Sequence, residues 1–210
     1  MASLQTKTVF LKNGELTANF SEAISLSDQT LTITPARDNT ITVYVINQSP
    51  LFSEQTIIVN FLEPGAEVVI YGLYQMQEKQ SLKIHTTMNH AVPHCTSRQV
   101  WKGILADAAK ADFEGRIIVA KDAQKTSAHL SNKNLLLSNA AEITTKPFLE
   151  IYADDVQCSH GATVGCLDVN ALFYLQSRGI PESEARALLI QAFADEIYAH
   201  ASACATEGST

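Results

Sequence analysis

The sequence predicts a mainly β protein in which short strands stack on one another, followed by a small α-helical region. Three observations support this prediction. Short apolar, β-branched runs are separated by turn residues, a polar corner returns every 15 to 17 residues, and helix-type spacing becomes clear only after Gly165. This change in pattern divides the chain into two expected regions, residues 1–165 and residues 166–210.

Strand signals dominate the first region. β-branched and aromatic residues are typical of strands, and they are concentrated in short runs. The clearest runs lie at residues 30–34, 40–46, 56–61, 67–74 and 116–120. The intervening segments are rich in Asn, Asp, Gly and Pro, which favour tight turns. No convincing helix pattern interrupts these runs.

A quasi-repeat links four polar corners. Asp107, Asp122, Asn139 and Asp155 each follow an apolar pair and open a four-residue corner, at offsets of 15, 17 and 16 residues. This period is too short for a propeller blade, but it suits a parallel β-helix in which one strand and its corner span each period. An antiparallel sandwich explains the same pattern equally well, so the residues alone leave both architectures open.

Two helices are expected in the second region. Asp168 is a suitable N-cap for the first helix, Gly179 suits the left-handed position just past its end, and Pro181 opens the second helix. One helical face of the second helix collects apolar residues, which favours packing on the last coil of a β-helix. These residues are Ala185, Leu188, Leu189, Ala192, Phe193 and Ile197.

Composition excludes several functional classes. The 210 residues are 46% hydrophobic and 18% charged, as expected of an ordered globular protein. A net charge of −7 without a Lys or Arg cluster argues against nucleic-acid binding. The sequence shows no signal peptide, no apolar run long enough to span a bilayer and no cysteine framework for disulfides, so a cytoplasmic protein without membrane insertion is expected.

The candidate metal ligands are Cys158 and His160, in an extended segment at residues 151–165. Alternate residues of a strand point to the same face, so these two side chains should project together while Ser159 points away. Two ligands do not complete a metal site, because structural zinc normally takes four. Spacing alone therefore favours ordinary packing roles for both residues.

Other reactive residues are interpreted as structural. Asp154 and Asp155 are adjacent on an extended segment, so their side chains point to opposite faces and cannot flank one scissile bond. The chain has no G-x-x-x-x-G-K-[ST] phosphate loop, so a partner must hydrolyse any ATP that its work requires. Structural roles are also expected for a cluster of His and Cys residues and for three Asn residues at corners or in ladders: His85, His90, His94, Cys95, Asn132, Asn134 and Asn139.

Several long motifs occur in one order along the chain. Together they resemble the SufB/SufD family of iron–sulfur cluster assembly scaffolds, and the Cys-Ser-His-Gly stretch is similar to the SufD branch. The likeness runs from about residue 56 to residue 200. The motifs are LEPGAE (62–67), YGLY (71–74), HAVPHCTSRQ (90–99), LSNKNLLLS (130–138), TKPFLEIYADDVQCSHGATVG (145–165) and LFYLQSRGI (172–180).

The resemblance implies a fold and a site. The expected fold is a right-handed parallel β-helix with long strands, followed by C-terminal helices. The family member expected here is a non-catalytic scaffold that pairs with a SufB-like chain and holds an iron–sulfur cluster only transiently at the shared interface. By its match to the family motif, His160 is the expected ligand, with Cys158 as the weaker candidate. Usual family members are longer at the N-terminus, so a shortened SufD is expected.

The resemblance also implies a second partner. A SufC-like ABC-type ATPase is expected to dock on the helical region, with Tyr174, Arg178 and Glu184 as exposed contact candidates. Cys166 would join Cys158 and His160 if the chain folded back after residue 165. Two alternative functions remain open: a carbohydrate-active β-helix enzyme, and a structural protein whose open coil ends pair into a homodimer.

Overall fold

The computed structural model describes residues 7–12, 15–18, 24–48 and 52–207, with side chains up to residue 201. The strands in these ranges follow one another along the chain with short corners between them. In order they are β1 (Lys7–Lys12), β2 (Glu15–Ala18), β3 (Ile24–Ser27), β4 (Thr30–Ile33), β5 (Thr40–Gln48), β6 (Glu54–Phe61), β7 (Glu67–Met76), β8 (Ser81–His90), β9 (Thr96–Leu105), β10 (Lys110–Val119), β11 (Ser127–Leu136), β12 (Glu142–Ile151) and β13 (Gln157–Gly165).

The strands form two facing sheets. Sheet A has the order β13-β11-β9-β7-β5-β1-β2, and sheet B has the order β12-β10-β8-β6-β4-β3. Only β1 with β2 and β3 with β4 pair antiparallel, while every other pair is parallel. The chain therefore alternates between the sheets and stacks each coil on the one before. The predicted parallel β-helix is confirmed, and the antiparallel sandwich is excluded.

The repeat seen in the sequence is half of one coil. From β6 onward, residues in register on neighbouring coils are 29 to 32 residues apart, as in the Asn60–Asn89 and Lys110–Glu142 pairs. All four predicted corners lie between consecutive strands from β9 to β13. One strand and one corner fill each period, as predicted, and two periods complete a coil.

The corners before β5, β7, β9 and β11 share an unusual backbone conformation. Asp38, Gly65, His94 and Lys125 occupy equivalent positions there, with φ between 56° and 81°. This left-handed region lets the chain turn sharply from sheet B to sheet A. Backbone hydrogen bonds stack these corners, for example from Lys125 N to the carbonyl of Asp155 at 2.6 Å.

The core fills the space between the sheets. Trp101 and Phe113 lie there at zero exposure, with ring centroids 5.4 Å apart. Trp101 sits over Gly72 of the preceding coil, where a Cβ atom would fall inside the indole ring. The glycine in one coil therefore leaves room for the large indole of the following coil, which gives the dense packing typical of protein interiors.

A buried polar network runs through this core. The Tyr74 hydroxyl donates to Oδ1 of Asn134, and Asn132 Nδ2 donates to the Tyr74 oxygen at 3.2 Å. Burial raises the pKa of Tyr74 well above its usual range. Of the two predicted roles, corner or ladder, the corner role is wrong for Asn132 and Asn134, because both lie on the inner face of β11 and are almost fully buried. Asn139 does lie in a corner.

The sequence missed four long strands. β8, β9, β11 and β12 carry many polar residues on their outer faces, so their runs are less apolar than those that were recognised. The segment at residues 151–165 is also not one extended run. A corner at residues 152–156 separates β12 from β13, and its backbone groups bond to the previous coil.

Two helices follow the last strand: α1 (Val169–Ser177) and α2 (Glu182–Glu207). Asp168 caps α1 by accepting a hydrogen bond from Asn170 N at 2.8 Å, and Gly179 has a φ of 86°. Both features were predicted. Neither helix offers, within the described residues, the long uncharged apolar stretch that crossing a bilayer requires.

The second helix packs on the outer face of sheet A, against β7 and β9, rather than on the last coil. Its buried residues include Ala185, Ala194 and Ile197, whereas Leu188 and Ala192 of the predicted stripe are exposed. The stripe is therefore confirmed in part: Ile197 and Phe193 meet the cluster of Ile46, Leu73, Val100 and Ile104, and Ala194 and Ile190, which the stripe did not include, join them.

Polar contacts anchor this helix to the sheet. Lys102, only 4% exposed, pairs with Glu196 at 2.6 Å and donates to the carbonyl of Phe193 at 2.5 Å. The Lys102 ammonium group lowers the pKa of Glu196. Further along, the ring of His200 stacks on Tyr71 with centroids 4.2 Å apart. The helix is thus held at several points.

Candidate functional site

The solenoid is open at its C-terminal end. β13 is the last strand of sheet A and β12 is the last strand of sheet B, so each has one edge that no described strand of this chain covers. An uncovered edge presents backbone N–H and C=O groups that are available to another chain. The candidate ligands lie on this terminal coil.

The structure brings Cys158 and His160 together as the alternation predicts. In register with β11, Cys158 lies beside Ala128 and His160 beside Leu130, both of which face the interior. Cys158 is half-buried and packs against the core, whereas His160 is exposed. No further described strand covers either residue, because β13 is the last strand of sheet A.

The thiol of Cys158 is held in its neutral form. Burial raises its pKa, and a hydrogen bond with the Ala128 backbone opposes this only partly. Because the thiolate is the form that binds metals, Cys158 needs a metal ion or a positive neighbour before it can act as a ligand. The imidazole of His160, in contrast, is exposed on the same strand.

No complete metal site is formed by the described part of the chain. Nowhere in it do three or more His, Cys, Asp or Glu side chains form a group that could hold a metal. Cys166 follows the end of β13, six residues past His160, so about 20 Å of extended strand separates them. The proposed fold-back of Cys166 is therefore wrong, and further ligands must come from elsewhere.

The two open edges differ in their hydrogen-bonding capacity. Gln157 N bonds to Thr126 O in the previous coil, so the N–H groups of Cys158, His160 and their alternate neighbours point to the open side. Glu142 N likewise bonds to Ala109 O, which turns the odd positions of β12, including Pro147, to its open side. Proline has no N–H, so β12 lacks one donor that β13 retains.

The remaining His and Cys residues have structural surroundings, as the sequence predicts. His90 is 1% exposed, stacks on Phe61 at 4.2 Å and shares a 2.9 Å hydrogen bond between Nε2 and Ser97 Oγ. Burial lowers the pKa of His90 to about 4. Cys95 is buried, and His85 lies 3.6 Å from a carboxylate oxygen of Glu54 on the outer face.

The adjacent aspartates do not form an acid–base pair. Asp154 and Asp155 lie in the corner between β12 and β13, and Asp155 forms an ion pair with Lys125. The Asp155 backbone N–H also donates to Gln124 at 2.9 Å. These contacts attach the corner to the previous coil, so the role of Asp155 is structural.

The predicted contact residues on the helices are exposed. Tyr174 is 56% exposed, the guanidinium of Arg178 lies over its ring at 5.2 Å, and Glu184 faces solvent. Sequence reasoning missed two larger apolar groups, Val169 at 73% and Phe173 at 71% exposure. Their spacing of four residues, which puts both on one face of α1, was the signal that would have found them.

Comparison with known proteins identifies the family. The model of the SUF-system iron–sulfur cluster assembly SufBD core domain matches residues 14–193. The chain belongs to the SufBD family. This match covers β2 to β13 and extends into α2, so it includes both the terminal coil and the helical region. The expected family resemblance is confirmed.

Curated relatives of this SufBD chain include proteins of bacteria and of a plant. The chain is 51% identical to iron–sulfur cluster assembly protein SufD of Escherichia coli over 112 residues, 53% of its length. It is 39% identical to a SufBD family protein of Synechocystis over 72% of its length, and 31% identical to the chloroplastic protein ABCI7 of Arabidopsis thaliana over 91%. These alignments span 26%, 34% and 41% of the relatives' lengths.

Proposed function

We propose that this chain is a non-catalytic scaffold subunit for iron–sulfur cluster assembly. In this role it pairs with a SufB-like subunit along its open coil end and docks a SufC-like ABC-type ATPase through its helices. It keeps no permanent cofactor, because the cluster is cargo that forms at the shared interface. The observation that carries the proposal is an exposed His160 on an uncovered terminal strand.

The character of β13 supports pairing along this strand. Natural edge strands are usually blunted by charges or proline. β12 has Lys146 and Pro147 in its centre, whereas β13 (QCSHGATVG) contains neither lysine nor proline. A nine-residue edge without this protection matches a strand that a partner covers, and its free N–H groups supply the hydrogen bonds.

His160 and Cys158 are the ligands that this chain contributes. Imidazole nitrogen and thiolate sulfur both suit iron, and two side chains from one strand leave room for ligands from the partner. His160 has the leading role because it is exposed, whereas the pKa of Cys158 is raised by burial. Cys158 acts only when iron or a positive partner group stabilises its thiolate.

The helical region supports the second contact. Val169 and Phe173 form an apolar face on α1 that the rest of the described chain leaves open, and α1 has no buried residue. The same helical region exposes Tyr174, Arg178 and Glu184, which supply polar groups for the proposed contact. An apolar centre with a polar rim is typical of a protein–protein interface, and this one would receive the ATPase.

The same open edge supports a second pairing mode. A homodimer forms if another copy covers β13 when the SufB-like subunit is absent, and mass action selects the tighter pairing. The proposed compartment is the cytoplasm, in keeping with the free thiols of Cys95, Cys158 and Cys166.

Anaerobic co-expression with SufB-like and SufC-like subunits tests the proposal. We expect His160→Ala to lower the iron and sulfide bound per complex by at least tenfold, while size exclusion still shows the intact complex. Cys158→Ser should cause a smaller loss. His85→Ala is the matched control, because it removes an imidazole from the far outer face of sheet B and should leave cluster content unchanged.

Three outcomes would contradict the proposal. Wild-type iron and sulfide in the His160→Ala complex would remove the ligand role. Failure of the wild-type chain to associate with the SufB-like subunit would remove the scaffold role. A homodimer that persists when the SufB-like subunit is present in excess would favour the self-associating structural protein instead.

A further inference from the structure

A groove crosses the outer face of sheet A, on the side of β13 opposite to its inward-facing residues. It extends over β9, β11 and β13, and α2 contributes Glu196 to its wall. Its volume of about 570 Å³ lies in the range of small-molecule sites. His160 also lines the groove at the edge of β13, so the groove adjoins the ligand of the proposed scaffold role.

The floor of the groove is flat and open. Val100, Ser131 and Gly161 lie side by side in register on the three strands, and all three line the groove. A Cβ atom at Gly161 would meet nothing within 4 Å, so the floor is unobstructed at its outer end. One hydroxyl, from Ser131, stands at the centre.

Two cations line this floor, and the charge of Lys133 adds to that of Lys102 in lowering the pKa of Glu196. Arg98 lies two residues before the Val100 row, and Lys133 lies two residues after Ser131. Among the described residues, no carboxylate forms an ion pair with either of them. The groove's own carboxylate, Glu196, is already paired with Lys102.

The local charge therefore opposes that of the whole chain. The protein carries a net charge of −7, whereas the groove presents the two positive charges of Arg98 and Lys133 beside a neutralised ion pair. Such a cleft attracts anions. The backbones of Arg98 and Lys133 stand in rows four residues apart, about 13 Å along the strands, and their long side chains can converge on one anion with two charged groups between them.

A hydroxyl relay completes the groove. His129 lies in register between Arg98 and Ser159, with its Nδ1 2.7 Å from Ser159 Oγ and its Nε2 3.2 Å from Ser127 Oγ. In the tautomer with the proton on Nδ1, His129 donates to Ser159 and accepts from Ser127. Ser159 then keeps its own O–H free to donate into the groove.

We propose that this groove binds a small phosphate-bearing anion. Arg98 supplies a planar fork that suits phosphate oxygens, Lys133 neutralises a second phosphate group, and the hydroxyls of Ser131 and Ser159 donate between them. The floor is a sheet surface, so the site does not depend on a glycine-rich loop. The proposal also does not depend on cluster assembly, since it concerns the isolated chain.

Calorimetric titration of the full chain at low salt tests this site, with pyrophosphate, inorganic phosphate and ADP as probes. We expect pyrophosphate to bind more tightly than inorganic phosphate, because only pyrophosphate reaches both cations. Equal affinities for ADP and pyrophosphate would show that phosphate groups alone are recognised, and tighter ADP binding would identify a nucleotide ligand; both support the proposal.

Matched variants locate the site. Arg98→Gln and Lys133→Gln should each raise the pyrophosphate Kd about tenfold without changing the melting temperature, because both side chains are exposed. Lys83→Gln removes the same charge from the outer face of sheet B and should leave the Kd unchanged. The proposal is overturned if wild type shows no pyrophosphate binding, if Lys83→Gln weakens binding as much, or if a tetraglutamate peptide binds while pyrophosphate does not.

Discussion

The middle coils and the terminal coil of the solenoid are built from the same repeat but have opposite surroundings. At Gly72, Gly103 and Gly115 an added Cβ atom would collide with side chains of neighbouring strands, whereas at Gly161 and Gly165 it would meet nothing within 4 Å. The middle coils are covered on both sides and the last one on a single side. Stability is therefore concentrated in the middle, and exposed chemistry at the end.

Two phenylalanines provide the largest test of this comparison. Phe113 on β10 has zero exposure and packs beside Trp101, while Phe148 on β12 is 40% exposed beneath the Arg116 guanidinium at 4.9 Å. We expect Phe113→Ala to lower the free energy of unfolding by about 3 to 5 kcal/mol because it leaves a cavity. Phe148→Ala should cost less than about 1 kcal/mol.

Urea unfolding followed by circular dichroism measures both free energies under the same conditions. If the two substitutions cost the same, the contrast between middle and end is wrong. If Phe148→Ala is the more damaging, the terminal coil carries packing energy that its exposure does not suggest.

The next largest effect concerns the pH dependence of the middle coils. The pKa of His90 is about 4 in the folded protein and 6.5 in the unfolded chain, so the unfolded state binds more protons between these values. Stability should be full above pH 6.5 and should fall by up to about 3 kcal/mol as the pH drops towards 4. His90→Asn should remove this part of the slope.

Chemical unfolding at a series of pH values between 4 and 7 provides the measurement. The difference between wild type and His90→Asn isolates the contribution of this one residue from that of the carboxylates. A difference that stays constant across the window would show that the buried imidazole is not held neutral.

A pair of glycines gives the smallest and sharpest comparison. Gly72→Ala forces the rigid indole of Trp101 to move, so we expect a loss of about 1 to 3 kcal/mol. Gly161→Ala adds the same methyl group in open space and should change stability by less than about 0.5 kcal/mol. The melting temperature of each variant, compared with wild type, provides the measurement. Equal shifts would contradict the expectation that packing is tight at Gly72 and open at Gly161.

Local patterns in the sequence predicted much of the fold. The corners at Asp107, Asp122, Asn139 and Asp155, the cap at Asp168 and the left-handed Gly179 depend on residues close in the chain, and the structure contains all of them. The pairing of Cys158 with His160 on one face follows from strand geometry in the same way.

Contacts between coils could not be predicted from local sequence patterns. Nothing local distinguishes Asn132 and Asn134 from polar corner residues, because their partner Tyr74 lies about two coils earlier. The groove likewise joins Arg98, His129 and Ser159, each one coil from the next. These sets become visible only when the stacking register is known.

The sequence by itself determined that this protein is a stack of strands and corners ending in two helices, and it placed an imidazole on the last strand. The alternation of side chains along a strand and the preferences of turn residues depend on a few neighbouring residues, so the sequence predicts them directly. The tertiary structure alone decided that β13 is uncovered, that α2 crosses β7 and β9, and that two cations stand over one groove. Those features depend on which distant segments stack together, and that is set by the packing of the whole core.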